Sequence, residues 1–511
     1  MKRILALLVV GFMVLGAKLA MADVRADALN VDPQYIDDVD LIWLYPNLVT
    51  QYKNMFDVRT NYLNSNTTWG GFIDGEHTGL GTVAAYAFRP YGYQGQLGWN
   101  NNEPGWFGTG FGWNGSWNNA GRWTAAPGTG HINVTNPENK LDLIWGDSMD
   151  KGNIGIHINY ADAQPNGGDP NGITQNRNIA NSAANSNQVT ASDDARVLGV
   201  NVGLGLTDLG PFAAGNVHAG FSLGSLSYDD KGTNTGANTP VNEQSVKDNG
   251  IYSAMIGAIM KNNLDENSDV RAFADVYLDQ NNQTEAFTHD ATGNGLHNEA
   301  GDTDAEFTSK YNDIIADLGL GCNHKVLDGK ATVGTGVGLW WANSDQKLGG
   351  TTQNGTATTT TYVPQNAGPS AFDEQTRDDM DWNWNAHVEA QVASWLTLRS
   401  GLTRPIIWRT TTVTTVNTYD PSGNGAVVSS VKTTNTRDAW FGGNFGTYSL
   451  GFGINWENWQ LDADAQVGDV YQSIGNVSPG NGLLFDNGIG NNNGNTGTLF
   501  AAYNADIRFK F

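Results

Sequence analysis

From Asn153 to Tyr160 the chain reads Asn, Ile, Gly, Ile, His, Ile, Asn, Tyr, so the three isoleucines share one face of an extended strand and polar or small residues share the other. The same period of two recurs along the chain. Leu198, Val200, Val202, Leu204 and Leu206 alternate with Gly199, Asn201, Gly203 and Gly205, and Val270, Ala272, Ala274, Val276 and Leu278 alternate with Arg271, Phe273, Asp275 and Tyr277. Trp382, Trp384, Ala386, Val388, Ala390 and Val392 interleave with Asn383, Asn385, His387, Glu389 and Gln391. Trp459, Leu461, Ala463, Ala465 and Val467 do the same with Gln460, Asp462, Asp464 and Gln466. One strand of this kind fits a soluble sandwich as well as a membrane barrel.

The connections separate the two. A long connection from Phe88 to Lys140 is followed by a tight turn at Met149 to Asn153, a long loop from Asp162 to Asp194 and a short turn at Asp208 to Ala214. The rhythm continues to the last short turn at Glu457-Asn458 and the last long loop, Asp469 to Thr496. Alternating long and short connections along a meander are what a transmembrane barrel needs, with short periplasmic turns and longer outer loops. The pattern predicts an all-β, antiparallel up-and-down barrel. Fourteen strands follow Gly79, and Tyr52 to Tyr62 and Thr67 to Asp74 add two upstream, giving about 16 with 14 as the alternative. Ile251 to Met260 is apolar on both faces, which leaves its register open.

The chain opens with Lys2 and Arg3, runs through an apolar stretch from Ile4 to Gly16 and reaches Ala20-Met21-Ala22, the form of a secretory leader and its cleavage site. Residues 1–22 are therefore read as a signal peptide, residues 23–50 as a periplasmic or lumenal N-terminal segment, and residues 51–511 as the barrel. No later run is long and uncharged enough for a spanning helix; the best, Leu41 to Val49, contains a proline. Glycine, at 64 residues, is well above its ordinary share of about 7%, and charged residues are scarce at 16%, which favours strands and turns. The net charge is -24, and loss of Lys2, Arg3 and Lys18 with the leader deepens it, so nucleic acid is excluded as a partner. Cys322 is the single cysteine, so no internal disulfide forms; beside Leu318 and Leu320 it is expected to be a buried, inert thiol.

The last residues, Leu499 to Phe511, alternate apolar and polar and finish on phenylalanine. This resembles the closing strand of Gram-negative outer-membrane β-barrels, and the resemblance covers most of the mature chain at the level of architecture. It implies residence in the bacterial outer membrane, contact with outer-membrane lipid and lipopolysaccharide, and recognition of the strand ending in Phe511 by the barrel-assembly machinery. Strand count and long loops resemble porins, which implies passive diffusion of ions and small hydrophilic solutes through an open channel, with a homotrimer as the assembly that suits one. A fainter resemblance lies in Asp40-Leu41-Ile42-Trp43-Leu44-Tyr45-Pro46-Asn47-Leu48. This is similar to the N-terminal segment of FadL-like transporters of hydrophobic compounds, with Tyr-Pro-Asn where that family has Asn-Pro-Ala. It implies either a plug in the lumen or a periplasmic tail. A structural or adhesive barrel without a conducting path is the third reading.

If the Ile154 face meets lipid, the opposite face presents His157, Arg271, Asp275, Asp279, His387, Glu389, Arg399, Asp462, Asp464, Asp506, Arg508 and Lys510 to the lumen. These pore-lining candidates either set ion preference or pair with one another and fill the space. The first long loop holds Trp99, Trp106, Trp113, Trp117 and Trp123, rings that either stack on a ligand or pack together to order the loop. Trp382, Trp395, Trp408, Trp456 and Trp459 read as interface girdles. The eight histidines lack the spacing of a zinc site, and no nucleophile motif accompanies them, so neither cofactor, metal nor enzymatic activity is expected. The Asn491 to Asn495 stretch matches no ordered calcium-loop spacing.

Overall fold

A computed structural model describes residues 24–52, 54–60, 67–74, 79–87, 138–162, 189–209, 212–232, 241–290, 303–354, 360–361, 374–419, 427–440, 447–467 and 502–511. The leader, the five tryptophans of the first long loop and the Asn491 to Asn495 stretch lie outside these residues.

The strands are β1 (Met55–Thr60), β2 (Thr67–Ile73), β3 (Thr82–Ala87), β4 (Glu138–Met149), β5 (Gly152–Asp162), β6 (Val189–Leu209), β7 (Phe212–Gly232), β8 (Val241–Asn263), β9 (Ser268–Asp290), β10 (Thr303–Val326), β11 (Ala331–Asn354), β12 (Thr360–Thr361), β13 (Glu374–Ala393), β14 (Leu396–Tyr419), β15 (Val427–Trp440), β16 (Thr447–Trp456), β17 (Trp459–Val467) and β18 (Ala502–Lys510). Each pairs antiparallel with its neighbour, and β18 returns to β1 with Lys510 opposite Met55 and Ala505 opposite Thr60. The sheet is therefore closed, which removes its edges. β12 and β13 share one side of β11, and β15 and β16 share one side of β14 at different heights, so the 18 segments make 16 staves.

The alternation sorts as the sequence pattern requires. Ile154, Leu198, Val200, Val202, Val276, Leu318, Leu320, Val388 and Leu398 point outward, and many of them are exposed, Leu320 at 53% and Leu398 at 47%. Polar partners in the same strands, such as His157, Asn201, Asp275 and Asp462, point inward and are buried. An exposed apolar belt around a buried polar interior is the inverse of a soluble protein and matches lipid as the outer solvent. The chain is an outer-membrane β-barrel. Trp456 and Trp459 face each other beside the last short turn, and Trp459 packs on Phe509 with ring centroids 4.6 Å apart, an aromatic band at the short-turn end. Strands such as β9 to β11 run 23 to 24 residues, well past the roughly 9–11 that span a bilayer, so they continue beyond the membrane at the long-loop end.

Three expectations change. Trp408 does not join the girdle: the pairing of β13 with β14 shifts between Trp382 and Asn383, where Pro405 and Ile407 oppose successive residues and Ile406 is extra. This bulge reverses the faces above it, so Trp408 lies opposite lumen-facing Asp381. Cys322 shares the outward face of Leu318 and Leu320 and is half-buried against lipid, not enclosed in a core. The doubly apolar strand resolves with Ile251, Met255 and Ile259 buried inside and Tyr252, Ile256 and Met260 outside. Its inner face is apolar because it meets an apolar body in the lumen.

Candidate functional site

That body is the N-terminal segment. It comprises helix α1 (Val24–Leu29), a 3-10 turn at Pro33–Tyr35, the short helix α2 (Leu41–Leu44) and a second 3-10 turn at Pro46–Gln51. The Asp32 side chain accepts from the backbone N–H of Gln34 at 2.8 Å and Pro33 follows at the first position, so Asp32 caps the first 3-10 turn. Pro46 starts the second in the same way. A free segment with so few helical turns has little stability of its own. Its order comes from burial: Ile42, Trp43, Tyr45, Asn47 and Val49 are each 0% exposed.

The segment crosses the lumen from wall to wall. Helix α1 packs on β14, β16 and β17, the first 3-10 turn on β9 and β10, and the second on β4, β5 and β6. Inward glycines make the space. Gly321 and Gly336, paired across β10 and β11, lie under one edge of the Tyr35 ring, and a Cβ on either would stand 2.5 Å from a ring carbon. A Cβ on Gly155 or Gly203 would strike Pro46 and Asn47, and one on Gly401 would strike the carbonyl of Leu29. The wall is thus shaped as a cradle for this segment.

Polar bonds fasten it. Asn201 donates to the carbonyls of Trp43 and Leu44 at 3.1 and 2.7 Å, Asn323 to the carbonyl of Tyr35 at 2.9 Å, and Thr403 to that of Asn30 at 2.6 Å. These wall side chains satisfy main-chain groups that a short irregular segment cannot pair internally. The Tyr35 hydroxyl donates to the carbonyl of Val337 at 2.8 Å, and Asn47 donates to Asn153 and Asn216. Gln34 donates to Asp275 at 2.7 Å and accepts from the Tyr45 hydroxyl at 2.8 Å, while His218 meets the other Asp275 oxygen at 2.7 Å.

Charges complete the fastening. Arg25 holds Glu389 with two nitrogens at 3.0 and 2.8 Å and reaches Asp38 at 3.3 Å. Asp37 meets Arg271 at 2.8 Å and Lys261 at 2.9 Å. Asp40 pairs with Arg59, which also contacts Asp57 at 2.8 Å. Glu389 continues the chain through Arg399 at 2.7 Å to Asp462 at 2.6 Å, and Arg508 stands beyond it at 3.8 Å. Within the segment, burial together with Asp40 and Asp38 pushes the Asp27 carboxyl up to about 8. Burial also pushes Asp32 up to about 6 against the hydrogen bond from Gln34, with Asp275 adding to the rise. For Asp37, desolvation works upward, but the charges and hydrogen bonds of Arg271 and Lys261 bring the carboxyl down to about 2.

The lumen candidates named from the pattern are distributed as follows. Glu389, Arg271 and Asp275 bind the segment directly, and His157 lies under the Trp43 ring while bonding Asp142 at 2.7 Å. His387 bonds Asn323 at 3.1 Å, and Arg399, Asp462, Asp506 and Arg508 belong to the charge chain. Asp279 and Asp464 are buried inward, and Lys510 is exposed at the short-turn end. The pattern did not single out Arg59, His218, Gln34, Tyr45, Asn201 and Asn323. Arg59 and Asn201 were visible as polar members of alternating strands, but their partners lie in the N-terminal segment, at sequence separations no local pattern carries. Among the described residues no cluster of His, Cys, Asp or Glu is arranged to hold a metal ion.

An apolar seam runs between segment and wall. Tyr35, Leu41, Ile42, Trp43, Leu44, Tyr45 and Leu48 pack with Met55, Phe72, Tyr86 and Ile144 on one side and Met255, Ile259 and Phe273 on the other. Tyr35 meets Phe273 edge-on at 5.1 Å and Trp43 meets Tyr86 at 5.0 Å.

No protein-family model and no curated protein matches the chain. Among solved structures, the Pseudomonas putida toluene transporter TodX is similar at a TM-score of 0.36 and 10% identity, covering 97% of this chain and 99% of its own. The CymD monoaromatic hydrocarbon channel gives 0.34 at 9% identity, covering 97% and 98%, and the Ralstonia pickettii toluene transporter TbuX gives 0.32 at 9%, covering 96% and 97%. At these scores the likeness places no substrate on this chain.

Proposed function

We propose that this barrel is a plug-gated uptake channel for small apolar compounds, rather than an open porin. The observation that carries the reading is the seating of residues 24–52 across the lumen, where they occupy the polar wall positions that an open pore would present to water. The chemistry of the solute follows from what lies between plug and wall. A molecule passing there meets Phe72, Ile144, Met255, Ile259 and Phe273 on the barrel side, a surface that favours apolar solutes and gives a hydrated ion little compensation for lost water.

The test is conductance of the refolded full chain in a planar bilayer, beside a variant lacking residues 23–52. The full chain is expected to be silent and the truncated barrel to conduct. Cells carrying the full chain are expected to take up a small aromatic hydrocarbon faster than cells without it, and to show no gain for a sugar of similar size. Stable open steps from the full chain would restore the porin reading and sink this one.

A further inference from the structure

We infer that Arg59 is an exchange latch, holding the plug through Asp40 when the plug is seated and rebonding to Asp506 of the barrel seam when the plug leaves. The inference rests on the reading that the plug moves. It starts from the pairing that closes the ring. Asp57 stands directly opposite Arg508 and Arg59 directly opposite Asp506 on the lumen face of β1 and β18, an arrangement that would place two opposite-charge pairs across the seam.

The seated structure uses only part of that complementarity. Arg59 turns along its own strand to Asp57, with contacts at 2.9 and 2.8 Å, and away from the wall to Asp40 of the plug. Arg508 likewise turns to Asp506 on its own strand and stays 3.9 Å from Asp57. Asp506 is 1% exposed and is held from its own strand by Arg508, while its cross-strand neighbour Arg59 is occupied elsewhere. A buried carboxylate held only by groups of the seam therefore stands across the ladder from the guanidinium that the plug has drawn aside.

Withdrawing Asp40 from an arginine that is 2% exposed would leave its charge on Asp57 alone, which Arg508 also approaches, a penalty against opening. Here the released guanidinium swings one residue across the ladder to Asp506, so the charge is compensated in both states. Opening the plug then completes the seam pairs, and the barrel wall is held more firmly when it must stand without its filling. Arg59 thus positions the plug without being part of any solute path.

The experiment reads plug release directly. In a Cys322→Ser background, Val49→Cys places a thiol at a plug position that is fully buried when seated, and its rate of modification by a water-soluble reagent follows the unseated population. Asp40→Asn removes the plug partner and is expected to accelerate modification by more than about tenfold. Asp506→Asn removes the receiving partner and is expected to slow it several-fold, the opposite sign. Acceleration by both variants would overturn the exchange and leave the seam cluster a static staple. Folding is checked by the heat-dependent shift of the barrel on gels. If Asp506→Asn lacks the folded band, Asp506→Glu, which keeps the receiving charge on a longer arm, must label at the parent rate or faster; slower labelling would overturn the latch. Because labelling needs no solute, opposite signs with no conductance from the truncated barrel would support the latch and refute the transport reading separately.

Discussion

The glycine cradle around Tyr35 gives the sharpest test of whether the barrel and its plug are separable. Gly336 lies on an interior strand, where valine is intrinsically the better residue by about 1 kcal/mol, so Gly336→Val should leave the barrel itself at least as stable. Its Cβ would stand 2.5 Å from Tyr35 Cε1 and 2.9 Å from Cδ1, at the ring edge that the paired Gly321 also underlies, so the ring must either tolerate the clash or lift from this wall. Overpacking of this kind costs about 1–3 kcal/mol if the ring stays. If the ring leaves, a side chain that is 4% exposed loses burial worth about 2 kcal/mol, and the bond from its hydroxyl to Val337 adds about 1 kcal/mol. The two routes together bracket a weakening of seating by about 1–3 kcal/mol, which raises the unseated fraction roughly 5- to 150-fold. Limited proteolysis of the N-terminal segment in reconstituted vesicles measures that fraction, and bilayer conductance measures its consequence. A Gly336→Val barrel that shifts normally on heating yet protects its N-terminal segment as well as the parent would refute the cradle argument.

Other expectations follow from the same contacts. Glu389→Gln should weaken plug seating by about 1–3 kcal/mol, because Arg25 and Arg399 both lose their shared carboxylate, and proteolytic protection should fall accordingly. The pH response has two arms of opposite sign. Asp27 and Asp32 have carboxyls raised to about 8 and about 6, so their contribution to seating is complete below about pH 4 and is lost as pH rises through those values. Asp37, lowered to about 2, contributes above about pH 4 and loses its contribution as pH falls toward 2. Protection of the plug should therefore decline between about pH 4 and 8, and Asp27→Asn should flatten the part of that decline above about pH 6; an unchanged slope there would remove Asp27 from the account. Cys322, facing outward beside Leu320, should react with a membrane-partitioning maleimide and resist a water-soluble one in vesicles, with the reverse result placing it in the lumen.

The sequence by itself determined the barrel. A period of two sorts side chains to opposite faces of every strand whatever the partner, and alternating loop lengths set the up-and-down order, so closure, lipid belt and inward polar wall were legible in Ile154 to Ile158 or Trp382 to Val392. Tertiary structure alone decided what the inner wall faces. Residues 23–50 read equally as tail or plug, because the atoms that hold Trp43, Tyr35 and Arg25 lie on strands more than a hundred residues away in sequence, at Asn201, Asn323 and Glu389. The inward glycines fit a narrowed lumen as well as a filled one by sequence; Tyr35 and Pro46, which no local pattern links to them, pack against them and decide for the filled one. Trp408 turned inward because a single extra residue in the pairing of β13 and β14 reverses every face above it, and a bulge is a relation between two strands that neither carries alone.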